Sequence, residues 1–284
     1  MYEPTAEQRG LFSKAEQYEL LPDVYQAVKL YRLLIKQAPE WLLPFQRLAR
    51  IYKKRQEWKA VVHYNKKAVV LDPSARQQWW DLGIGTYATG KRRQAQRIWN
   101  KFGWTPEQLP EVLSVQIQHS GVFELVWVKP INPVAGVIIS VPHPQADRSF
   151  KDKILFDHEI LGYHVADGQR RPIFQELDLL KRSHYLTFSG IIYDCGEKDL
   201  NLFAQLAAKQ GMGFEVWSNA AYGRQLSQIE RPAEFYAGNT TFTSQPSEAG
   251  VLIALSGKRA RTVKELVRSW EVITLKQLVN VERH

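Results

Sequence analysis

The pattern of apolar and polar positions changes character near residue 105. Up to that point apolar residues recur at helical spacing, and the whole pattern recurs every 34 residues. With frames starting at Gln8, Leu42 and Arg76, the fourth position holds Leu11, Phe45 and Trp79. The eighth holds Ala15, Ala49 and Gly83, and the twentieth holds Ala27, Val61 and Ala95. The twenty-fourth holds Tyr31, Asn65 and Trp99. Small residues in the eighth and twentieth columns let two helices approach closely. Large residues in the fourth and twenty-fourth fill the space between neighbouring pairs. Two frames close on Pro39 and Pro73, where the missing N–H ends a helix. Three helix–turn–helix units are therefore predicted within residues 1–105.

Pro106 and Pro110 mark a hinge between Gly103 and Val112, and residues 106–284 read as a second, α+β domain. Gly121–Ile131 alternates and is rich in β-branched and aromatic residues, which predicts a strand. Pro133–Pro142, His158–Val165, Tyr185–Cys195, Met212–Ser218 and Gly250–Gly257 are further predicted strands. Pro172–Ser183 reads as an amphipathic helix with proline in its first turn. Glu197–Gly211 reads as a helix stopped by glycine. The passage around it has the length of a βαβ unit. Arg259–Trp270 is predicted to be a basic helix, with a last helix near Thr274–Val279. Residues 231–249 read as a long irregular loop, a feature that is often functional. The expected fold class is α+β multidomain: an all-α helical array, then a domain with a mixed or antiparallel sheet.

The columns of the first third resemble the tetratricopeptide repeat (TPR). Trp79, Leu82, Gly83, Gly90, Ala95 and Trp99 stand in that family's columns, as do Phe45, Leu48, Ala49, Tyr52, Ala68 and Pro73. Ala15, Tyr18, Ala27, Tyr31 and Pro39 fit in the first frame. Departures are Lys14 in a leucine column, Asn65 in an aromatic one and Thr86 where tyrosine is usual. The resemblance covers about residues 8–104 and implies a groove, lined by the first helix of each repeat, that binds a peptide or a folded partner. In the family's carboxylate-clamping version the clamp positions carry Lys, Asn and Arg. Here they hold Phe12, Glu16, Arg47, Gln77 and Asp81, of which only Arg47 suits the task, so that clamp is not expected. Phe12, Arg47, Trp80 and Tyr87 are the expected groove-facing, partner-binding residues, with Trp41 beside them. An exposed aromatic on such a surface is a good anchor.

Composition adds a charge asymmetry. The chain of 284 residues carries a formal net charge of +9. Residues 1–110 hold 19 Lys and Arg against 10 Asp and Glu, whereas the remainder is balanced at 19 of each. The excess clusters at Lys53, Lys54 and Arg55, at Lys59, Lys66 and Lys67, and at Lys91, Arg92, Arg93 and Arg97. Such a patch suits an acidic protein surface or nucleic-acid phosphates, or serves to keep a tryptophan-rich array soluble. A single cysteine, Cys195, permits no intramolecular disulfide, which fits a reducing compartment. The opening residues lack the apolar run of a signal peptide, and no segment approaches the ~18 apolar residues of a membrane helix. A cytoplasmic protein is expected, without membrane insertion.

Candidate chemistry is sparse. His143, Asp147, Asp152, Asp157, His158, Glu159 and His164 crowd into one segment, and His and carboxylate ligands suit zinc or manganese. Of these, His143, Asp147, Asp157 and His158 are the weak metal candidates, because no helical His–His spacing is present. The bland reading is a polar loop with turn-forming carboxylates. Cys195 at the start of a predicted helix could act as a nucleophile, but a lone buried thiol more often packs as a small hydrophobe. No phosphate loop, nucleophile elbow or dinucleotide fingerprint occurs. No cofactor and no catalytic residue is expected. The sequence favours a non-enzymatic adaptor that binds a protein partner, ahead of a nucleic-acid-binding protein and a metal-dependent enzyme.

Overall fold

The computed structural model describes residues 2–119, 122–166, 169–218, 236–237 and 250–284. The chain divides into two compact units, Met1–Gln108 and Leu109–His284.

The first unit is an array of six helices: α1 (Ala6–Glu19), α2 (Tyr25–Gln37), α3 (Leu42–Lys54), α4 (Trp58–Leu71), α5 (Arg76–Ala88) and α6 (Arg92–Asn100). A capping box starts α1: the Thr5 hydroxyl accepts from the Gln8 N–H, and the Gln8 side chain accepts from the Thr5 N–H. Each helix packs on the next. The small columns lie at the crossings, with Ala15, Ala27, Val61 and Ala95 wholly buried. Gly83 is obligatory at its crossing, because a Cβ there would come within 2.1 Å of the Trp99 indole nitrogen. Gly85 fills the same role toward α4, where Val61 and Val62 press on it. Phe12, Tyr31, Leu34, Trp41 and Leu48 form one apolar core across α1–α3.

The second unit begins with strands β1 (Leu113–His119), β2 (Val122–Asn132), β3 (Ala135–Ile138), β4 (Lys153–Ala166) and β5 (Gln169–Lys181). Antiparallel pairing runs β1–β2, β2–β3, β3–β4 and β4–β5. Parallel pairing of β5 with β1 returns the sheet to its start, so these strands close into a barrel. The two-residue β8 (Tyr236–Ala237) adds to β4 in parallel. Alternation explains the interior: Leu113, Val115 and Ile117 of β1 meet Val126 and Val128 of β2, Ile154 and Phe156 of β4 in one apolar cluster.

The remaining elements form a four-stranded antiparallel sheet ordered β10–β6–β9–β7, from β6 (Leu186–Ile192), β7 (Gly213–Val216), β9 (Val251–Gly257) and β10 (Leu278–Arg283). Helices α7 (Glu197–Lys209) and α8 (Ala260–Thr274) share a core with it, where the Phe203 and Trp270 rings stack at 4.6 Å. Strands β6 and β7 flank α7 in sequence and run parallel, but β9 lies between them, so the βαβ unit is split. In β10 the register shifts between Val279 and Glu282, and Asn280 takes a left-handed conformation (φ 52°).

The architecture is α+β, with a helical array preceding a strand-rich region, and the sheet that closes into a barrel is mixed. Two predicted helices are strands. Pro172–Ser183 lies in β5, where two neighbours, β4 and β1, satisfy its backbone. Its apolar residues at Ile173, Phe174, Leu177 and Leu179 fit either period. The helix predicted near Thr274–Val279 does not form, because Leu275 turns left-handed (φ 58°) and ends α8. The Glu271 carboxylate then accepts from the Leu278 N–H and starts β10. Strand β1 was unpredicted, because the hinge signal of Pro106 and Pro110 masked its alternation. Of the loop at residues 231–249, all but 236–237 lies outside the described residues, as does Gly121 of the predicted strand Gly121–Ile131.

Candidate functional site

The helical array offers two surfaces, one from the first helices of each pair (α1, α3, α5) and one from the second helices (α2, α4, α6). On the first helices, Phe12 is buried against Tyr31 (5.4 Å) and Trp41 (5.0 Å). Its helical phase turns it into the α1–α3 core, and Trp41 goes with it. Arg47 is ion-paired to Glu16 and lies 3.9 Å from Glu19, with its guanidinium over the Phe12 ring. Glu19 also accepts from the Tyr31 hydroxyl at 3.0 Å. Burial, and then this carboxylate, push the Tyr31 phenol well above its ordinary value. Trp80 is half-buried and stacks on Trp99 at 6.2 Å. Tyr87 is buried beside Trp99 with Arg92 over its ring. Thus Phe12 and Tyr87 serve packing inside the array. Exposed positions of the first helices include Arg9 and Lys14 of α1 and, on α3, Leu43, at 45% of its full exposure, and Arg50.

Among the predicted basic residues, Lys53 departs from the exposed patch. Its ammonium meets the Asp81 carboxylate at 2.6 Å with both side chains nearly buried, because the end of α3 faces α5. Arg55 is exposed, pairs with Glu57 at 2.8 Å and covers the Tyr52 ring. Lys54, Lys66, Lys67, Lys91, Arg92 and Arg93 are exposed.

The second helices are tied together. Arg32 of α2 donates to the Tyr52 hydroxyl of α3 at 2.7 Å. Hydrogen bonding to Tyr64 of α4 is the main cause that raises the Arg32 pKa. Tyr52 and Tyr64 stack in parallel at 5.4 Å. The Arg32 guanidinium therefore ties α2 to α3, and the Tyr52–Tyr64 stack ties α3 to α4. The sequence reading missed this cluster, because Arg32 and Tyr52 lie 20 residues apart and no local pattern joins them.

The weak metal candidates take separate roles. The backbone N–H of His143 donates to the Glu124 carboxylate, and its ring lies 5.0 Å from Trp217. Asp147 is bound by Arg182 at 3.0 Å, and that hydrogen bond holds its carboxyl below the usual range. Asp157 accepts from the His158 backbone N–H at 2.8 Å and lies 3.2 Å from its ring. Among the described residues, neither His143 nor Asp147 joins a group of three or more potential ligands close enough to share an ion. The His164 side chain lies outside the described residues. Asp152, wholly buried, is a clasp: it accepts from Ser149 N–H (2.8 Å) and Ser183 N–H (2.5 Å). The contacts of Asp147 and Asp152 are thus ion pairs and turn clasps within the fold.

Cys195 is buried, and desolvation pushes its thiol up, away from the thiolate a nucleophile needs. Ser189 and His284 meet at 2.9 Å across β6 and β10. The imidazole lies 6.0 Å from the Trp217 ring, an apolar neighbour rather than the carboxylate that orients a catalytic base.

Comparison with known proteins gives little. No protein-family model and no curated protein matches this sequence. Among solved structures, a hypothetical protein from Neisseria gonorrhoeae aligns with 60% of this chain and 93% of its own, at 12% identity and a TM-score of 0.24. Likeness at that level carries neither fold nor function to this chain. Among the described residues, no helix is long and apolar enough to cross a membrane.

Proposed function

We propose that the protein is a non-enzymatic adaptor whose TPR-like array binds a protein partner, with the α+β unit as a second interaction surface. The observation that supports this is the in-phase packing of α1–α6. Six short helices held by recurring small residues make a rigid, repetitive scaffold, and such scaffolds present extended surfaces for partners. The exposed line of the first helices is the reading's binding face. Arg9, Leu43 and Gln77 share one column on it, and Arg50 lies two turns along α3 from Leu43. Leu43 supplies an exposed apolar group and Arg50 a charged one, the pairing that a peptide anchor and its rim use.

The test is affinity capture with the full chain and with a Leu43→Asp, Arg50→Glu variant. Both side chains point out of the core, so the fold is retained and its helical circular dichroism is unchanged. A discrete protein retained by the parent and released by at least tenfold in the variant supports the reading. Equal capture by both, or none by either, refutes this face as the partner site.

A further inference from the structure

The second helices carry a charge pattern that the adaptor reading does not use. Helices α2, α4 and α6 contain nine Lys and Arg and no Asp or Glu, and every one of the nine is exposed. Among the described residues none of the nine is within ion-pair distance of a carboxylate. Helix α3 also lacks acidic residues, but its Arg47 and Lys53 are ion-paired to Glu16 and Asp81 of other helices. Helix α7 mixes Glu197 and Asp199 with Lys198 and Lys209, and α8 pairs Arg261 with Glu265 at 2.8 Å.

The placement is also regular. On α2, Lys29, Arg32 and Lys36 stand at i, i+3 and i+7, opposite the buried Ala27, Val28, Tyr31 and Leu34. The 34-residue phase repeats some of the positions: Lys29 corresponds to Arg97 with His63 between them, Arg32 to Lys66 with Asn100 after it, and Lys59 to Arg93. Arg32 of α2 donates to Tyr52 of α3, whose ring stacks on Tyr64 of α4, so α2, α3 and α4 follow one another in the array. Helix α5 contacts α4 through Gly85 and α6 through Gly83, which continues the same order. Successive helices pack about 8–10 Å apart, so cations on the alternate helices α2, α4 and α6 recur along the face at no more than about twice that spacing.

We infer that the outward face of α2, α4 and α6 binds the phosphodiester backbone of nucleic acid, without reading its sequence. A face of recurring cations matches a polymer of uniform charge. Duplex DNA presents one negative charge per ~1.7 Å of axis, so a row finds phosphates in any register. An acidic protein would need a particular pattern of carboxylates and a desolvated anchor at the centre. The long, mobile Lys and Arg side chains also suit a partner met in many registers, since phosphate contacts position a protein but do not specify bases.

Fluorescence anisotropy with a labelled duplex of about 20 base pairs, titrated from about 50 to 200 mM salt, tests this. Binding is expected at the low end, with affinity falling about a thousandfold across the range if six or more phosphates are engaged. A Lys29→Ala, Lys66→Ala, Arg97→Ala variant keeps its fold, because all three side chains are exposed. It is expected to lower the logarithmic salt slope by about three, near one per lost phosphate contact. Polyglutamate of matched charge is expected to compete at least tenfold less well than unlabelled duplex. Failure to bind at the lowest salt, an unchanged slope in the variant, or equal competition by polyglutamate would each overturn the inference. The Leu43 and Arg50 substitutions touch a different face, so the adaptor reading stands or falls separately.

Discussion

Gly83 shows how much one residue specifies. Its hydrogen lets the Trp99 indole lie flat on α5, where Trp99 also meets Trp80, Tyr87 and Trp104. A methyl group at this position has no room, and Trp99 is 1% exposed with no free direction to retreat. Gly83→Ala is expected to cost about 1–3 kcal/mol despite alanine's better helix propensity, read as a lower urea midpoint at unchanged slope. Glu176 makes a different point. Burial is the main influence on its carboxyl and raises its pKa, while the Arg148 guanidinium, bonded at 2.7 Å, opposes the rise only in part. The folded protein therefore holds this proton to a higher pH than the unfolded chain does. Stability contributed by the site is complete below the ordinary glutamate value and declines as pH climbs through the raised one. Glu176→Gln keeps the acceptor for Arg148 and loses the proton. Urea unfolding at steps from roughly pH 4 to 8 should show the parent's decline flattened in the variant.

At the scale of elements, what the sequence revealed depended on whether a segment decides its own conformation. The six helices of the first unit were legible because column spacing, Pro39 and Pro73 all agree with the packing that forms. Helix α7 was legible because Gly211, at φ 67°, supplies the left-handed stop that its pattern announced. Strand β5 was not. Its local signals, Pro172 first and apolar residues at mixed spacing after, favour a helix, and two neighbouring strands overrule them by offering ladders on both sides. The end of α8 failed for a related reason, since leucine at a left-handed position gives no warning and the Glu271 side chain completes the turn. The candidate site was legible only in part. Composition located the excess charge, but assigned Lys53 to it, and the Asp81 carboxylate that meets this ammonium comes from 28 residues away. Phe12 and Tyr87 were expected in a groove on column position alone, and a shift in helical phase of under a quarter turn is enough to take a ring from the surface to the core.

At the scale of the whole molecule, the first unit owns its core. The cluster from Phe12 to Val61 is built wholly from α1–α4, and the Trp80, Tyr87, Trp99 and Trp104 rings extend the packing through α6. Three helical pairs are about the fewest that bury a continuous interior in such arrays. A fragment of residues 1–108 is accordingly expected to fold alone. Far-ultraviolet circular dichroism should show a helical spectrum that melts in one cooperative step; a coil spectrum would mean that the second unit is needed for its stability. The second unit contains two sheets with opposite problems. The barrel closes through three parallel pairs, Ser114–Gln116 of β1 against Ile173–Gln175 of β5. Among the described residues the four-stranded sheet is open, with β7 and β10 at its margins. At β7 the margin is only four residues long. At β10 the left-handed Asn280 and the register shift beside it break the regular line of N–H and C=O groups, and Glu282 and Arg283 charge what remains. An incoming strand would find hydrogen-bond partners out of step and charged side chains to desolvate. The irregularity at Asn280 thereby works as a guard against self-association, keeping one copy of the sheet from templating the next.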